Sequence, residues 1–309
     1  MRGFSAPVLS VSAMNLPKLG DGISFQATLA DYVFDFPETF DFIEIVPDMM
    51  WQDAGRGRSP RYAVNADARD LLDRMAAIKP VVAHSIGLSI GTAARFDREH
   101  VGQIAEWRRR YAMPWHSDHL SAMHAQHHRG MEVNVGLMMP VPCDEASLDM
   151  LTERIEHVRA TVDVPFLLEN NTNYFTIPGE EMSEAEFLNA LARRSGCGLL
   201  LDLHNVYTNA RNFGFDPYAF LAELDLNRVG EIHLSGGMEL FGFYLDAHDG
   251  PCPEALWPML DWVLARAPNV GGVVFEVFNT NYPDMGAESL SHQLARAREI
   301  WSRHSLVAG

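Results

Sequence analysis

The feature that most restricts this 309-residue chain is a repeated local pattern. A short apolar, β-branched run is followed by a polar turn holding Gly or Asn, then by an amphipathic stretch of 10 to 20 residues. Short apolar runs bounded by turn residues read as strands, and stretches with a 3.6-residue apolar period as helices. The runs fall at 7–14, 40–46, 80–86, 113–121, 164–170, 198–205, 228–235 and 271–278, eight in all. Helices are predicted at 24–35, 67–78, 97–111, 144–161, 184–195, 216–224, 253–266 and 287–304. Several open with groups that satisfy the orphan N–H donors of a first turn: Asp97, Ser183 with Glu186 three places on, and Asp216 before Pro217. Strand-then-helix units imply parallel strands with right-handed crossovers, and eight of them close into a TIM (β/α)8 barrel, with a doubly wound open sheet as the alternative. No Pro- or Ser-rich linker divides the chain, so 1–309 is expected to form a single α/β TIM-barrel domain. Met123 to Val141 breaks the alternation and predicts a long loop or hairpin at about 122–142, with an extra strand at 131–138. Long loops inside compact domains are usually functional.

The open face of such a barrel is made by the C-terminal strand ends and the loops after them. Glu44 ends strand two, His84 strand three, Asp118 and His119 strand four, and Glu169 with Asn170 strand five. Strand six brings Asp202 with His204 and Asn205, strand seven His233, and strand eight Glu276. Seven of the eight predicted strands therefore end in a carboxylate or an imidazole. Carboxylates crowded into a dry mouth repel one another, and multivalent cations remove that conflict. Nitrogen and oxygen donors without sulfur suit Fe, Mn, Co or Zn, and carboxylates bridge ions, so a binuclear or larger centre is expected. Asp246 and His248, two apart after strand seven, point the same way if extended and would grip a further ion. His100, His157, His292 and His304 in helices and His116 within a strand read as surface or packing residues. His124, His127 and His128, in the long loop, stay open between ligand, substrate contact and solvated roles.

Charge narrows the partners. Lys plus Arg number 24 against 41 Asp plus Glu, a formal charge of −17 that repels phosphate and anionic lipid. Neither a nucleic-acid nor a membrane partner is expected, and no apolar run approaches the roughly 18 residues of a membrane span. Cys143, Cys197 and Cys252 form no C-x-x-C pair, which argues for reduced thiols and a cytoplasmic location rather than disulfides or thiolate zinc. The glycines of residues 87–94 fit neither a P-loop nor a dinucleotide fingerprint, and no G-x-S-x-G elbow is present.

The segments 84–91 (HSIGLSIG), 117–120 (SDHL), 168–170 (LEN) with Tyr174, 200–207 (LLDLHNVY) with Asn212, 231–236 (EIHLSG), 246–251 (DAHDGP) and Phe275-Glu276 follow one another in this order. Together, across about residues 40–300, they resemble the multinuclear non-haem iron-dependent oxidative enzymes (MNIO), which include the methanobactin-synthesis oxygenase. The resemblance implies a xylose-isomerase-like TIM barrel with two or three iron ions, mixed Fe(II)/Fe(III), and dioxygen as cosubstrate. It places His84, His119 and Glu169 on one iron, with Glu169 bridging to a second held by Asp202, His233 and Glu276. Asn205, Asp246 and His248 would form the third position. Asp118 is expected to orient His119, and Glu169, Asp118 and His204 to take part in the chemistry. The implied substrate is a ribosomally made precursor peptide, oxidised at Cys or another side chain near its C-terminus, with a separate partner protein capturing the leader. The chain departs from the family pattern at His204, where Asn is more usual, at Gly237, where a further His is common, and at 277–282 (VFNTNY) in place of Trp-Asp. These departures alter the pocket wall and leave the ligands in place.

Two enzyme readings follow: an iron- and dioxygen-dependent oxidase or oxygenase of a peptide, and a Mn- or Zn-dependent hydrolase or isomerase of the xylose-isomerase type. The negative charge speaks against a phosphodiester substrate, while Asp246/His248 and the lack of a strand-end lysine speak against a sugar isomerase. A non-catalytic metal-binding scaffold would need a coordinatively closed site, which so many strand-end ligands disfavour.

Overall fold

The computed structural model describes residues 14–126 and 132–305. Its centre is a closed barrel of eight parallel strands: β1 Gly20–Ser24, β2 Phe42–Ile45, β3 Val81–Ser85, β4 His116–His119, β5 Phe166–Glu169, β6 Gly198–Asp202, β7 Val229–Ser235 and β8 Gly272–Glu276. Neighbours in sequence are neighbours around the barrel, and β1 closes on β8 through Gly20↔Gly272 to Ile23↔Phe275. Helices cover the outside, among them α1 Ala30–Asp35, α2 Ala66–Ala76, α3 Arg98–Tyr111, α4 Glu145–Val162, α5 Glu184–Ser195, α6 Leu203–Phe213, α7 Pro217–Glu223, α8 Leu256–Leu264 and α9 Tyr282–Ser305. The expected caps form: Asp97 accepts from His100 N, Ser183 and Glu186 make a capping box, and Asp216 accepts from Tyr218 N. An antiparallel hairpin pairs 122–126 with 132–139 at the mouth. Among the described residues, no helix is long and apolar enough to cross a membrane.

Two elements differ from expectation. The first barrel strand is Gly20–Ser24 rather than 7–14, of which residues 7–13 lie outside the described residues, as do His127 and His128. Its sequence, GDGIS, carries little strand propensity, and its position comes from tertiary demand. A Cβ at Gly22 or at Gly272 would lie 2.5 Å from the Phe42 ring, so glycine on both strands gives that ring its space inside the barrel. The run at 198–205 does not stay extended either. The strand stops at Asp202, whose carboxylate accepts from Asn205 N at 2.7 Å and caps α6, a helix the apolar continuity of LLLDLHNV conceals.

The barrel interior is layered. Leu16, Phe42, Val82, Trp115, Leu167, Leu200 and Val274 form one buried apolar cluster, separate from the large core between strands and helices. Because side chains alternate along a strand, the residues two further on face the same interior. Those residues are Glu44, His84, Ser117, Glu169, Asp202 and Glu276, and His119 follows Ser117 by two. The polar site rests on an apolar floor and lies toward the strand ends.

Candidate metal centre

Four groups of three side chains bring their donor atoms within 4.8 Å of one another: His84/His119/Glu169, Glu44/His233/Glu276, Glu169/Asp202/His233 and Asp202/His248/Glu276. Glu169, Asp202, His233 and Glu276 each belong to two groups, so the groups interlock into one cluster. His84 Nε2 stands 3.1 Å and His119 Nδ1 2.8 Å from Glu169 Oε2. His233 Nδ1 is 3.2 Å from Glu276 Oε2, and His248 Nε2 is 3.0 Å from Asp246 Oδ1 and 3.8 Å from Glu276 Oε2. Most of these side chains are nearly fully buried. Yet Glu169 Oε2, His233 Nδ1 and His248 Nε2 lack a hydrogen bond of good geometry. Buried polar atoms are normally paired, so converging orphan donors of this kind fit a cation. All the donors are nitrogen or oxygen, which suits a borderline divalent metal such as iron, manganese or zinc.

Neighbouring groups fix the imidazoles. Ser117 Oγ meets His84 Nδ1 at 2.9 Å, which turns Nε2 toward Glu169. His233 donates Nε2–H to Glu44 at 3.0 Å, leaving Nδ1 facing Glu276. Glu44 is fully buried and sits at a strand end, so its position was legible in the sequence, but its pairing with His233 across the barrel was not. Metal-ligating histidines commonly donate their second N–H to a carboxylate in this way. Glu44→Gln is therefore expected to weaken metal binding about 10- to 100-fold with the circular dichroism spectrum unchanged, read by metal titration against a chromophoric chelator.

His204 and Asp246 take places of their own. His204, fully buried in the first turn of α6, meets Asp246 Oδ1 through Nδ1 at 2.9 Å. A Cβ at Gly237 would stand 2.7 Å from the His204 ring, so His204 fills the space that a side chain at 237 would enter. The two departures from the family pattern are thus complementary in space. Tyr174 Oη accepts from Asp246 N at 3.1 Å, and Asn212 clamps the Tyr244 backbone with two 2.9 Å bonds, holding the segment that carries Asp246. His248 adopts φ +46°, and its ring packs at a tilt against Phe278, the centroids 4.3 Å apart. Phe278 N and Asn281 Nδ2 both donate to the His248 carbonyl, so the unusual segment after Glu276 supports this imidazole. Asn205 Nδ2 reaches Glu169 Oε1 at 3.3 Å. The third expected group is thus divided: His248 joins Asp202 and Glu276, while Asp246 joins His204 and His248, and Asn205 lies against Glu169.

Asp118 does not orient His119. Strand alternation turns His119 and Ser117 inward, and Asp118 with His116 the other way, where His116 meets Ser85 Oγ at 2.9 Å. Both Asp118 carboxylate oxygens are buried without a hydrogen-bond partner, and burial pushes this carboxyl well above its usual range.

Burial and neighbouring charges shift both the carboxylates and the imidazoles of the cluster. Burial would raise Glu169, but the His119 and His84 imidazoles hold it below the carboxylate range. Burial, then the charges of Glu169 and Asp246, raise Asp202 well above its usual value. Burial opposes charge on the imidazoles, yet Glu169 and Glu44 lift His84 to about 9, and Asp246 and Glu276 lift His248 to about 10. A cation binding there displaces those protons. Metal affinity is expected to rise from pH 6 through about 9 to 10, with more than one proton released per ion, measured by calorimetry in buffers of different ionisation enthalpy. Without metal, the same imidazolium–carboxylate pairs stabilise the fold fully below pH about 6.5, and that contribution is lost as the pH climbs through about 9 to 10.

A closed parallel barrel with this cluster at its C-terminal mouth defines a xylose-isomerase-like TIM-barrel protein with a candidate metal centre. Solved structures agree on the fold: endonuclease IV from Thermus thermophilus aligns with a TM-score of 0.56 at 17% identity, over 93% of this chain and 100% of its own. D-psicose 3-epimerase from Clostridium cellulolyticum aligns at 0.55 and 12% identity, over 93% and 98%. The sequence profile of the RiPP precursor modification enzymes MbnB/TglH/ChrH matches residues 20–302, and the chain belongs to that family. Similar relatives include a UPF0276 protein of Anaeromyxobacter sp. (strain Fw109-5), 31% identical over 91% of this chain and 93% of its own. Another, from Rhizobium meliloti (strain 1021), is 35% identical over 73% and 72%.

Proposed function

We propose that this chain is an iron- and dioxygen-dependent oxidase or oxygenase that modifies a residue of a ribosomally synthesised precursor peptide, Cys or another side chain near its C-terminus. The observation that carries the reading is the interlocked set of four His/carboxylate groups without sulfur at the barrel mouth. Membership of a family of precursor-peptide modification enzymes supports the substrate class. His84, His119 and Glu169 would hold one iron, and Glu169, Asp202, His233 and Glu276 a second, with His248, Asp246 and Asn205 at the remaining position. Iron bound there would supply one-electron and dioxygen chemistry.

The residues around it set the conditions for that chemistry. Ser117 and Glu44 hold the tautomers of His84 and His233. The apolar floor of Phe42, Trp115 and their neighbours closes the site to water from below. His204, hydrogen-bonded to Asp246 through Nδ1 beside the cluster, would take part in the chemistry, and Glu169 keeps its carboxylate ionised between His84 and His119. In this reading residues 1–309 form one barrel domain working in the cytoplasm, and a separate partner protein delivers the leader.

The test uses the full chain, purified and reconstituted with Fe(II) under nitrogen, and given each short peptide found encoded in neighbouring reading frames, with and without any small protein encoded there. Two or more irons per chain and oxygen uptake that tracks a mass change on the peptide support the reading. Iron well below two per chain with full zinc occupancy, or no oxygen uptake with peptide present, overturns it.

A further inference from the structure

A cleft of about 260 Å³ opens beside the candidate metal centre. Its floor begins at Leu120, one residue past His119, and at Asn171, two past Glu169. Phe175, Phe213 and Phe215 line it and are each about 40% exposed, at 44, 41 and 39%. Glu180 and Glu184 complete the lining, from the loop before α5 and from its first residue.

The lining offers several acceptor oxygens. Asn171 is only 7% exposed, and its amide N–H is spent on the Leu120 carbonyl, which leaves Oδ1 as a free acceptor on the cleft wall. Asn173 Oδ1 has no hydrogen-bond partner either. Among the described residues no basic side chain pairs with Glu180 or Glu184. Burial and the neighbouring Glu180 charge push Glu184 up to about 7, and burial with both carboxylates pushes the Cys143 thiol up to about 12. The cleft thus combines two neighbouring carboxyl groups, unfilled acceptors and aromatic rings.

We propose that this cleft is a specificity pocket for one lysine or arginine side chain of the substrate peptide. An ammonium or guanidinium brings only donors, which matches the Glu180 and Glu184 carboxylates and the Asn171 and Asn173 oxygens, and aromatic faces attract cations. The volume suits one long side chain and falls short of the roughly 300–1,000 Å³ of sites for drug-sized ligands. Because the cleft and the metal cluster share the loops after β4 and β5, the basic residue lies near the modified one in the peptide sequence. The inference rests on the peptide-substrate reading above and is independent of the oxidative step.

The experiment titrates the full iron-loaded chain, under nitrogen, with two blocked tripeptides, Ac-Gly-Arg-Gly-NH2 and its neutral isostere carrying citrulline, followed by ligand-observed NMR. The arginine peptide is expected to bind at least tenfold more tightly than the citrulline peptide. That preference is expected to vanish in the Glu180→Gln/Glu184→Gln double variant, and Phe213→Ala is expected to weaken the arginine peptide several-fold. Equal binding of the two peptides by the native chain overturns the proposal, and that comparison needs no variant to fold. A preference that survives the double variant overturns it as well. A charge preference found without oxygen-dependent modification removes the oxidase reading and leaves the pocket, whereas modification without a charge preference removes only the pocket.

Discussion

On the proposed reading, a chain with Gln at position 169 is expected to fold, to bind fewer metal ions than the native chain, at most one, and to lose turnover by about a thousandfold, ~4 kcal/mol of transition-state stabilisation. Glu169 is shared by two of the four donor groups and lies between His84 Nε2 at 3.1 Å and His119 Nδ1 at 2.8 Å. Removing its charge takes one ligand from each of two positions at once, and neither His119 nor Asp202 spans both. The barrel loses little, because Leu167 below it keeps its place in the apolar floor. Elemental analysis beside a thermal melt checks this result. A variant with native metal content would show that the carboxylate is not a bridge.

The second large effect is on stability. Phe42→Ala is expected to cost about 3–5 kcal/mol, from lost burial plus the cavity left behind. For a chain of this size that lowers the melting temperature by roughly 5–8 °C. The ring is fully buried, packs edge-on to Trp115 at 6.0 Å, and lies against strands kept clear by Gly22 and Gly272. Collapse into such a gap is limited because the surrounding strands are a closed ring. Glu44 follows Phe42 by two residues, so its grip on His233 loosens in the same variant, and weakened metal binding accompanies the lower melting point. A melting temperature within about 2 °C of the native value would show that the floor repacks freely.

Most of the site was readable along the chain because each strand follows one rule: apolar residue in the interior, polar residue two places on. Phe42 with Glu44, Val82 with His84, Leu167 with Glu169, Leu200 with Asp202 and Val274 with Glu276 all obey it. The same rule corrects Asp118, since a neighbour of an inward-facing residue faces outward. What local pattern does not carry is contact across the barrel. Glu44 meets His233, 189 residues away, and His204 meets Asp246, 42 residues on, through closure of the sheet. The first strand escaped detection because two of its five residues are glycines, chosen for what the neighbouring strand needs. The end of the sixth strand was hidden because Asp202 both stops the strand and caps a helix that continues the same apolar run.

The sealed floor also governs traffic. With Phe42, Trp115, Leu167 and Leu200 filling the barrel below the polar layer among the described residues, the proposed dioxygen and peptide side chain would share the rim of the mouth. A peptide lying across that rim becomes a stopper for everything else. On the proposed reading, the order of arrival and departure would follow from the architecture: release of the modified peptide would reopen the mouth, and the next cycle would begin from an open vessel.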